Sequence, residues 1–165
     1  NGIQRLALRI PGWCKNWTVT VDEEAVTAPV HRGYALLLLD GNPHQVTLEL
    51  AMKVQLIAAN PKVQQDAGRV AVMRGPLIYC LEGVDNGNYL RDLRLERWGD
   101  WNLGWDDRLK VQTLECVGWH RKQQPNAPLY APLEDDLEPI SLKWIPYFSF
   151  ANRGETEMIV WVQVR

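Results

Sequence analysis

The sequence predicts an all-β chain, an antiparallel β-sandwich of jelly-roll-like character with room for two packed sandwich units. Three observations carry that expectation. Apolar residues recur with a period of two rather than 3.6, the spacing of a half-buried strand. Clusters of Gly, Asn, Asp and Pro punctuate these runs at the intervals that short strands need. No segment has an apolar helical face; the best candidate, residues 89–98, mixes its charges too evenly along the helix circumference.

The elements follow in order. In residues 5–10, Leu6, Leu8 and Ile10 share one face. Trp17, Val19 and Val21 alternate with Thr18 and Thr20; Asn16-Trp17-Thr18 also matches a glycosylation acceptor, but a strand start is the simpler reading. Asp40-Gly41-Asn42-Pro43 reads as a turn that needs positive φ. From 46 to 56 every even position is apolar, which predicts one long strand bent near Ala51. Gly75 permits an unusual backbone angle and Pro76 fixes the entry to a strand over 77–81. Asp85-Asn86-Gly87-Asn88 is a second turn of the positive-φ kind. Ile140, Leu142 and Trp144 alternate with Ser141 and Lys143. Arg153-Gly154 reads as a hairpin turn before a closing run, 158–164, that is apolar on both faces apart from Gln163 and belongs in the middle of a sheet. Residues 99–108 and 123–139 break the pattern; the second, with Pro125, Pro128, Pro132, Pro139 and the acidic run Glu134-Asp135-Asp136, reads as an exposed loop.

Composition narrows the function. The chain has 165 residues, enough for one domain or two small ones, and is 46% hydrophobic. A net charge of −2 gives no attraction to phosphate backbones or anionic lipid, so neither nucleic acid nor membrane is an expected partner. No apolar run approaches the roughly 20 residues of a membrane helix. No signal-peptide pattern opens the sequence, which favours the cytoplasm. Cys14, Cys80 and Cys116 are odd in number, widely spaced and set among apolar neighbours, which fits small buried hydrophobes rather than a disulfide framework.

Three stretches carry a family resemblance: Leu8-Arg9-Ile10-Pro11-Gly12-Trp13-Cys14, Arg74-Gly75-Pro76-Leu77-Ile78-Tyr79-Cys80-Leu81-Glu82, and Ile145-Pro146-Tyr147-Phe148-Ser149-Phe150-Ala151-Asn152-Arg153-Gly154 with Met158-Ile159-Val160-Trp161 behind it. In this order, over residues 6–162, the chain resembles the C-terminal part of glycoside hydrolase family 127, whose known members are β-L-arabinofuranosidases. The resemblance implies that the whole of 1–165 is a non-catalytic sandwich region. It implies one unit from 1–84 plus the last strand, 158–165, and a second from 85–157. The family's chemistry is implied to lie in an upstream helical barrel, with zinc held by clustered cysteines, a nucleophilic cysteine and nearby glutamates. Cys14, Cys80 and Cys116 stand too far apart to carry any of those roles, so no catalytic residue and no cofactor is assigned to this chain. The implied partners are the chain's own upstream barrel, a second copy in a homodimer, and a plant-type glycan.

Two candidate sites remain. Glu82 and Asp85 are the acids beside a motif and make a possible carboxylate pair of the glycosidase type, although a strand end entering a turn explains them as well. His31, His44 and His120 have no ligand-like spacing and no metal site is expected. The loop Trp98-Gly99-Asp100-Trp101-Asn102-Leu103-Gly104-Trp105-Asp106-Asp107 is the stronger candidate. Trp98, Trp101 and Trp105 can stack on sugar rings while Asp100, Asn102 and Asp106 bond hydroxyls, which makes the chain a carbohydrate-binding module for arabinose-containing glycans. The competing account folds those tryptophans back over a sheet end or against a neighbouring domain, and with eight tryptophans in the chain a large aromatic core is expected anyway.

Overall fold

The computed structural model describes residues 2–122, 126, 128–133 and 136–165. Two compact units divide it, 1–53 and 54–165. Pro125, Glu134 and Asp135 of the expected exposed loop lie outside the described residues. Within the loop, Leu129, Tyr130 and Leu133 are exposed.

The first unit holds six strands: β1 (Gln4–Arg9), β2 (Trp17–Val21), β3 (Glu24–Ala25), β4 (Val30–His31), β5 (Tyr34–Leu39) and β6 (Val46–Leu50). They make two three-stranded antiparallel sheets, β1-β5-β4 and β3-β2-β6. Both sheets feed one apolar cluster, with Leu6, Leu8 and Ile10 from the first run, Ala35 and Leu37 from β5, Val19 from β2 and Leu48 from β6. The period-two alternation thus does what it predicts. The β2–β3 and β4–β5 connections are two-residue turns, with Asp22 and Glu23, then Arg32 and Gly33, all at positive φ. That is the turn geometry whose twist suits a tight hairpin. Asp40-Gly41-Asn42-Pro43 turns differently from expectation: the Asp40 carboxylate accepts the Asn42 backbone N–H at 2.9 Å, an Asx turn without positive φ. Cys14 is buried and its thiol donates to the Asn16 carbonyl at 3.1 Å, next to the start of β2.

The second unit holds β7 (Val54–Ala58), β8 (Arg69–Arg74), β9 (Leu77–Glu82), β10 (Arg94–Leu95), β11 (Asn102–Asp106), β12 (Val111–Arg121), β13 (Leu137–Pro146), β14 (Met158–Ile159) and β15 (Val162–Val164), with the one-turn helix α1 (Gly83–Asn86) after β9. The 46–56 alternation is therefore two strands, β6 and β7, interrupted at residues 51–53 and shared between the units. An even alternation cannot register a break of odd length that keeps the phase.

The all-β expectation holds, but the sandwich and jelly-roll expectation does not extend to this unit. Its sheet closes on itself through six strands, β8-β9-β13-β12-β10-β15 and back to β8. The β8–β9 hairpin, turned at Gly75 with φ 59°, opens beyond the Val72–Tyr79 pair. The final run enters that opening: β14 pairs with the end of β9, and β15 pairs with the start of β8. On its other edge β15 runs parallel to β10, so the sheet is not wholly antiparallel. Strand period reports which faces are buried and is silent about which strands are neighbours, so closure is invisible in it. Of the closing run, β15 is central as expected, with Val162 almost fully buried, whereas β14 pairs only with β9 at the end of the sheet order. Tyr79, Leu81, Leu114, Leu142 and Trp144 fill the interior together with Leu90 and Leu95.

Other differences are local. Residues 102–106, read as pattern-breaking, form β11 on the edge of β12. Pro139 lies inside β13 opposite Trp119 rather than in a loop. The weak helix candidate at 89–98 becomes a single 3-10 turn, Leu90–Asp92, followed by β10.

Candidate functional site

The most concentrated chemistry in the chain lies at one end of the closed sheet, where five charged side chains converge. Glu82 ends β9, Asp85 lies in α1, Asp106 ends β11, Lys143 comes from β13 and Arg153 from the loop behind it. Arg153 is at the centre. Its Nη2 lies 2.6 Å from Glu82 Oε2 and also contacts Asp85, and its Nη1 bonds Asp85 at 2.9 Å and Asp106 at 3.3 Å. Lys143 Nζ completes the group, 2.8 Å from Asp106 and 3.3 Å from Asp85.

Backbone donors and acceptors finish the enclosure. Glu82 accepts the Ala151 N–H at 2.8 Å, which holds Ala151 at φ 63°, a conformation rare for a residue with a Cβ. Asp106 accepts the N–H groups of Arg108 and Leu109. Asn86 is buried and staples α1 to β13: it accepts the Lys143 N–H and donates to the carbonyls of Lys143 and Glu82, each at 2.9 Å.

Electrostatics fixes the charge states. The hydrogen bond from Lys143, then that from Leu109, lowers the Asp106 carboxyl to about 2. Burial works against the charge on Lys143, yet its bonds to Asp106 and Asp85 outweigh it and raise its pKa. Burial also opposes the Arg153 charge, and Asp85 and Glu82 more than offset it. A carboxylate already bound by two or three donors and turned away from solvent cannot reach a glycosidic bond. Glu82 is 1% exposed. The pair Glu82 and Asp85 is therefore brought together, but around Arg153 rather than around a substrate space.

The three tryptophans of the loop differ in exposure. Trp98 is 83% exposed, with the Arg97 guanidinium 5.0 Å from its ring centre. Trp105 is exposed on β11. Trp101 is half-buried; it packs on the core, its ring 6.0 Å from that of the fully buried Trp144. Asp100 and Asn102 are exposed, Asn102 opposite Glu115 at the outer edge of the sheet. Asp106 is corrected from hydroxyl acceptor to structural anion, since it is buried and bound by Lys143 and Arg153.

Arg153, Lys143 and Asn86 are the members that sequence reasoning missed. The signal present was a lone charge embedded in apolar motif, Glu82 closing Leu77–Glu82 and Arg153 closing the aromatic run 147–150. Reading Arg153-Gly154 as a turn accounts for Gly154, at φ 112°, and overlooks its neighbour.

Elsewhere, burial reinforced by the Glu82 charge pushes the Cys80 thiol up to about 12, and burial pushes Cys116 up to about 11. All three cysteines are free and buried. Among the described residues no group of three His, Cys, Asp or Glu side chains is placed to hold a metal ion. Among them, too, no helix is long and apolar enough to cross a membrane.

Residues 54–163 match the model of the glycoside hydrolase family 127 C-terminal domain. The chain is 38% identical, over 94% of its length, to a non-reducing end β-L-arabinofuranosidase of Bifidobacterium longum subsp. longum, of which it covers 25%. A crystal structure of a family 127 β-L-arabinofuranosidase from Geobacillus stearothermophilus T6 superposes with a TM-score of 0.92 at 37% identity, over 99% of this chain and 27% of that one. A second family 127 structure, a β-arabinofuranosidase, gives 0.82 at 26% identity, over 99% of this chain and 28% of that one. The chain thus spans about a quarter of the length of these relatives.

Proposed function

The chain belongs to glycoside hydrolase family 127, and on that premise we propose that it is the non-catalytic accessory region of a longer glycosidase acting on L-arabinofuranosides, bracing an upstream catalytic barrel that carries the chemistry and its zinc. The observation that carries this reading is the fate of the converging acids. Glu82, Asp85 and Asp106 are consumed by Arg153 and Lys143, so the cluster that resembles a glycosidase pair serves to hold a loop in place.

That loop has something to present. Between the Pro146 end of β13 and Arg153, Tyr147 and Phe148 stand 49% and 66% exposed. Ser149, 4% exposed, donates to the Pro146 carbonyl at 2.6 Å, and the Asn152 amide donates to the Ser149 carbonyl at 3.0 Å. A rigid loop with two bare aromatic rings is a contact surface prepared in advance, which lowers the ordering cost of docking. Tyr34, Leu36 and Leu38, on the outer face of β5, offer a second apolar strip. Bare patches of this kind mark contact surfaces more often than they mark nothing.

The test uses the longer enzyme and this chain side by side. The chain alone should leave an aryl β-L-arabinofuranoside intact with or without zinc. In the longer enzyme, Tyr147→Ser with Phe148→Ser should lower the thermal midpoint of the barrel without abolishing turnover at low temperature. Turnover by the pure 165-residue chain, lost on Glu82→Gln, would sink the reading.

A further inference from the structure

The connection between β7 and β8, residues 59–68, overhangs a groove of about 550 Å³ in the second unit. Leu56, Val63 and Val70 give it an apolar wall, and Arg69, Arg97 and Asp66 give it charge. The volume is in the range of small-molecule sites, roughly 300–1,000 Å³.

Among the described residues neither Arg69 nor Arg97 has a carboxylate within ion-pair distance. Arg69 Nη1 makes one long bond, 3.4 Å, to the Gln65 carbonyl. Arg97 lies against the face of Trp98, the most exposed tryptophan of the predicted sugar loop. In a chain of net charge −2, two unpaired arginines beside an apolar wall are not explained by the fold.

We propose that this groove binds a saccharide bearing a single carboxylate, a uronate. A guanidinium is planar and forked, and it holds a carboxylate through two parallel hydrogen bonds. Leu56, Val63 and Val70 supply an apolar plate for the carbon face of a pyranose ring, and Trp98, beside the groove, steadies the Arg97 guanidinium 5.0 Å over its ring. Asp66 selects within the anions: with two arginines it leaves one net positive charge, which suits a monoanion, and its carboxylate accepts from ring hydroxyls while repelling a bare polyanion. The site is independent of the bracing role, since none of its residues belongs to the Arg153 cluster or to the Tyr147–Phe148 loop.

The experiment is a titration of the 165-residue chain with galacturonate, a monoanion, followed by amide NMR shifts and calorimetry, with neutral arabinotriose and inorganic phosphate as the other arms. Saturable shifts are expected at residues 59–69, 97–98 and 164. Arg97→Gln should weaken binding by roughly tenfold, the usual scale for losing one charge-assisted pair, and Trp98→Ala should weaken it several-fold. Arg97 is exposed, so that variant folds as the parent does; an unchanged melting curve checks it, and Arg69→Gln is read beside it. Three outcomes would overturn the proposal: no shift at millimolar galacturonate, binding indifferent to Arg97→Gln, or arabinotriose or phosphate binding as well as the uronate.

Discussion

Arg153 and Glu82 are 71 residues apart in the chain and 2.6 Å apart in space, at a point where Arg153 is 6% exposed and Glu82 1%. The contact joins two motifs, the strand 77–82 and the aromatic run 145–150, that share no period and no strand pairing at their charged ends. It converts two buried charges, each prohibitive alone, into one local arrangement that only the correct loop path satisfies.

Arg153→Met should be severely destabilising. Removing the cation leaves Glu82 buried without a cation and Asp85 with Lys143 alone, and breaking a buried pair from one side costs about 3–5 kcal/mol. Arg153→Lys should recover little of this, since a point charge cannot serve Glu82, Asp85 and Asp106 together. Denaturant unfolding reads the loss, and a change below about 1 kcal/mol for Met would show the cluster to be dispensable.

Much of the fold was legible because burial on one face leaves a period. Leu6, Leu8 and Ile10, or Trp17, Val19 and Val21, declare their strands without help. The ring closure was not legible, because β15 pairs in parallel with β10, each residue with one 69 positions away, and nothing in either segment names the other. The run of four leucines in β5 concealed its strand, since an unbroken apolar run has no period even though Leu37 is buried and Leu38 is 70% exposed. The charged cluster was half legible. Glu82 and Asp85 stood out as acids beside a motif, but their partner lay within a turn signal, and turn chemistry explained Arg153-Gly154 well enough to end the search.

Asp106 gives an acid-side test. Its carboxyl is held at about 2 against an ordinary value of 3.8, by Lys143 first and the Leu109 N–H second. A depressed folded pKa contributes stability that is present above the unfolded value and lost as pH falls from about 4 toward 2. Asp106→Asn should therefore lower stability at pH 7 and flatten the dependence between pH 4 and 2. Parallel curves for the two proteins through that window would count against the Lys143 contact.

Gly118 should tolerate no side chain. It lies on β12 opposite Ile140, and a Cβ there would stand 2.3 Å from Leu142 Cδ1 and 2.9 Å from the Arg94 carbonyl oxygen. Leu142 can rotate, but it is fully buried among packed neighbours, and the carbonyl belongs to the β10 backbone that closes the ring. Overpacking of this kind costs about 1–3 kcal/mol. Gly118→Ala should lower the unfolding midpoint by that scale, whereas Gly12→Ala, with nothing within 4 Å of the added carbon, should not. Equal midpoints for the two variants would mean that β10 and β12 have room to part.

His44 sets a window of pH for the first unit. Its Nδ1 lies 2.6 Å from Asp22 and its Nε2 2.8 Å from Asp40, so one imidazole joins the β2–β3 turn to the connection between β5 and β6. The bond to Asp22, then that to Asp40, raises its pKa above 6.5. The same bonds work in reverse on the acids: His44 first and the Gln45 N–H second lower Asp22, while the Asn42 N–H first and His44 second lower Asp40. The signs then oppose each other. A raised histidine contributes stability that is complete below 6.5 and fades as pH climbs through its folded value; depressed carboxylates contribute stability that is present above 3.8 and fades below it. The first unit should accordingly be most resistant between about pH 4 and 6.5 and loosen at the turns first as pH rises further. Protection of the Asp22, Asn42 and Gln45 amides, taken relative to their intrinsic exchange rates, should fall above neutrality in the parent chain. In His44→Gln it should be low at every pH, because a neutral amide bonds one aspartate and attracts neither. If the protection of those three amides, relative to intrinsic exchange, proves flat from pH 5 to 9 in the parent, the histidine is not holding the two connections together.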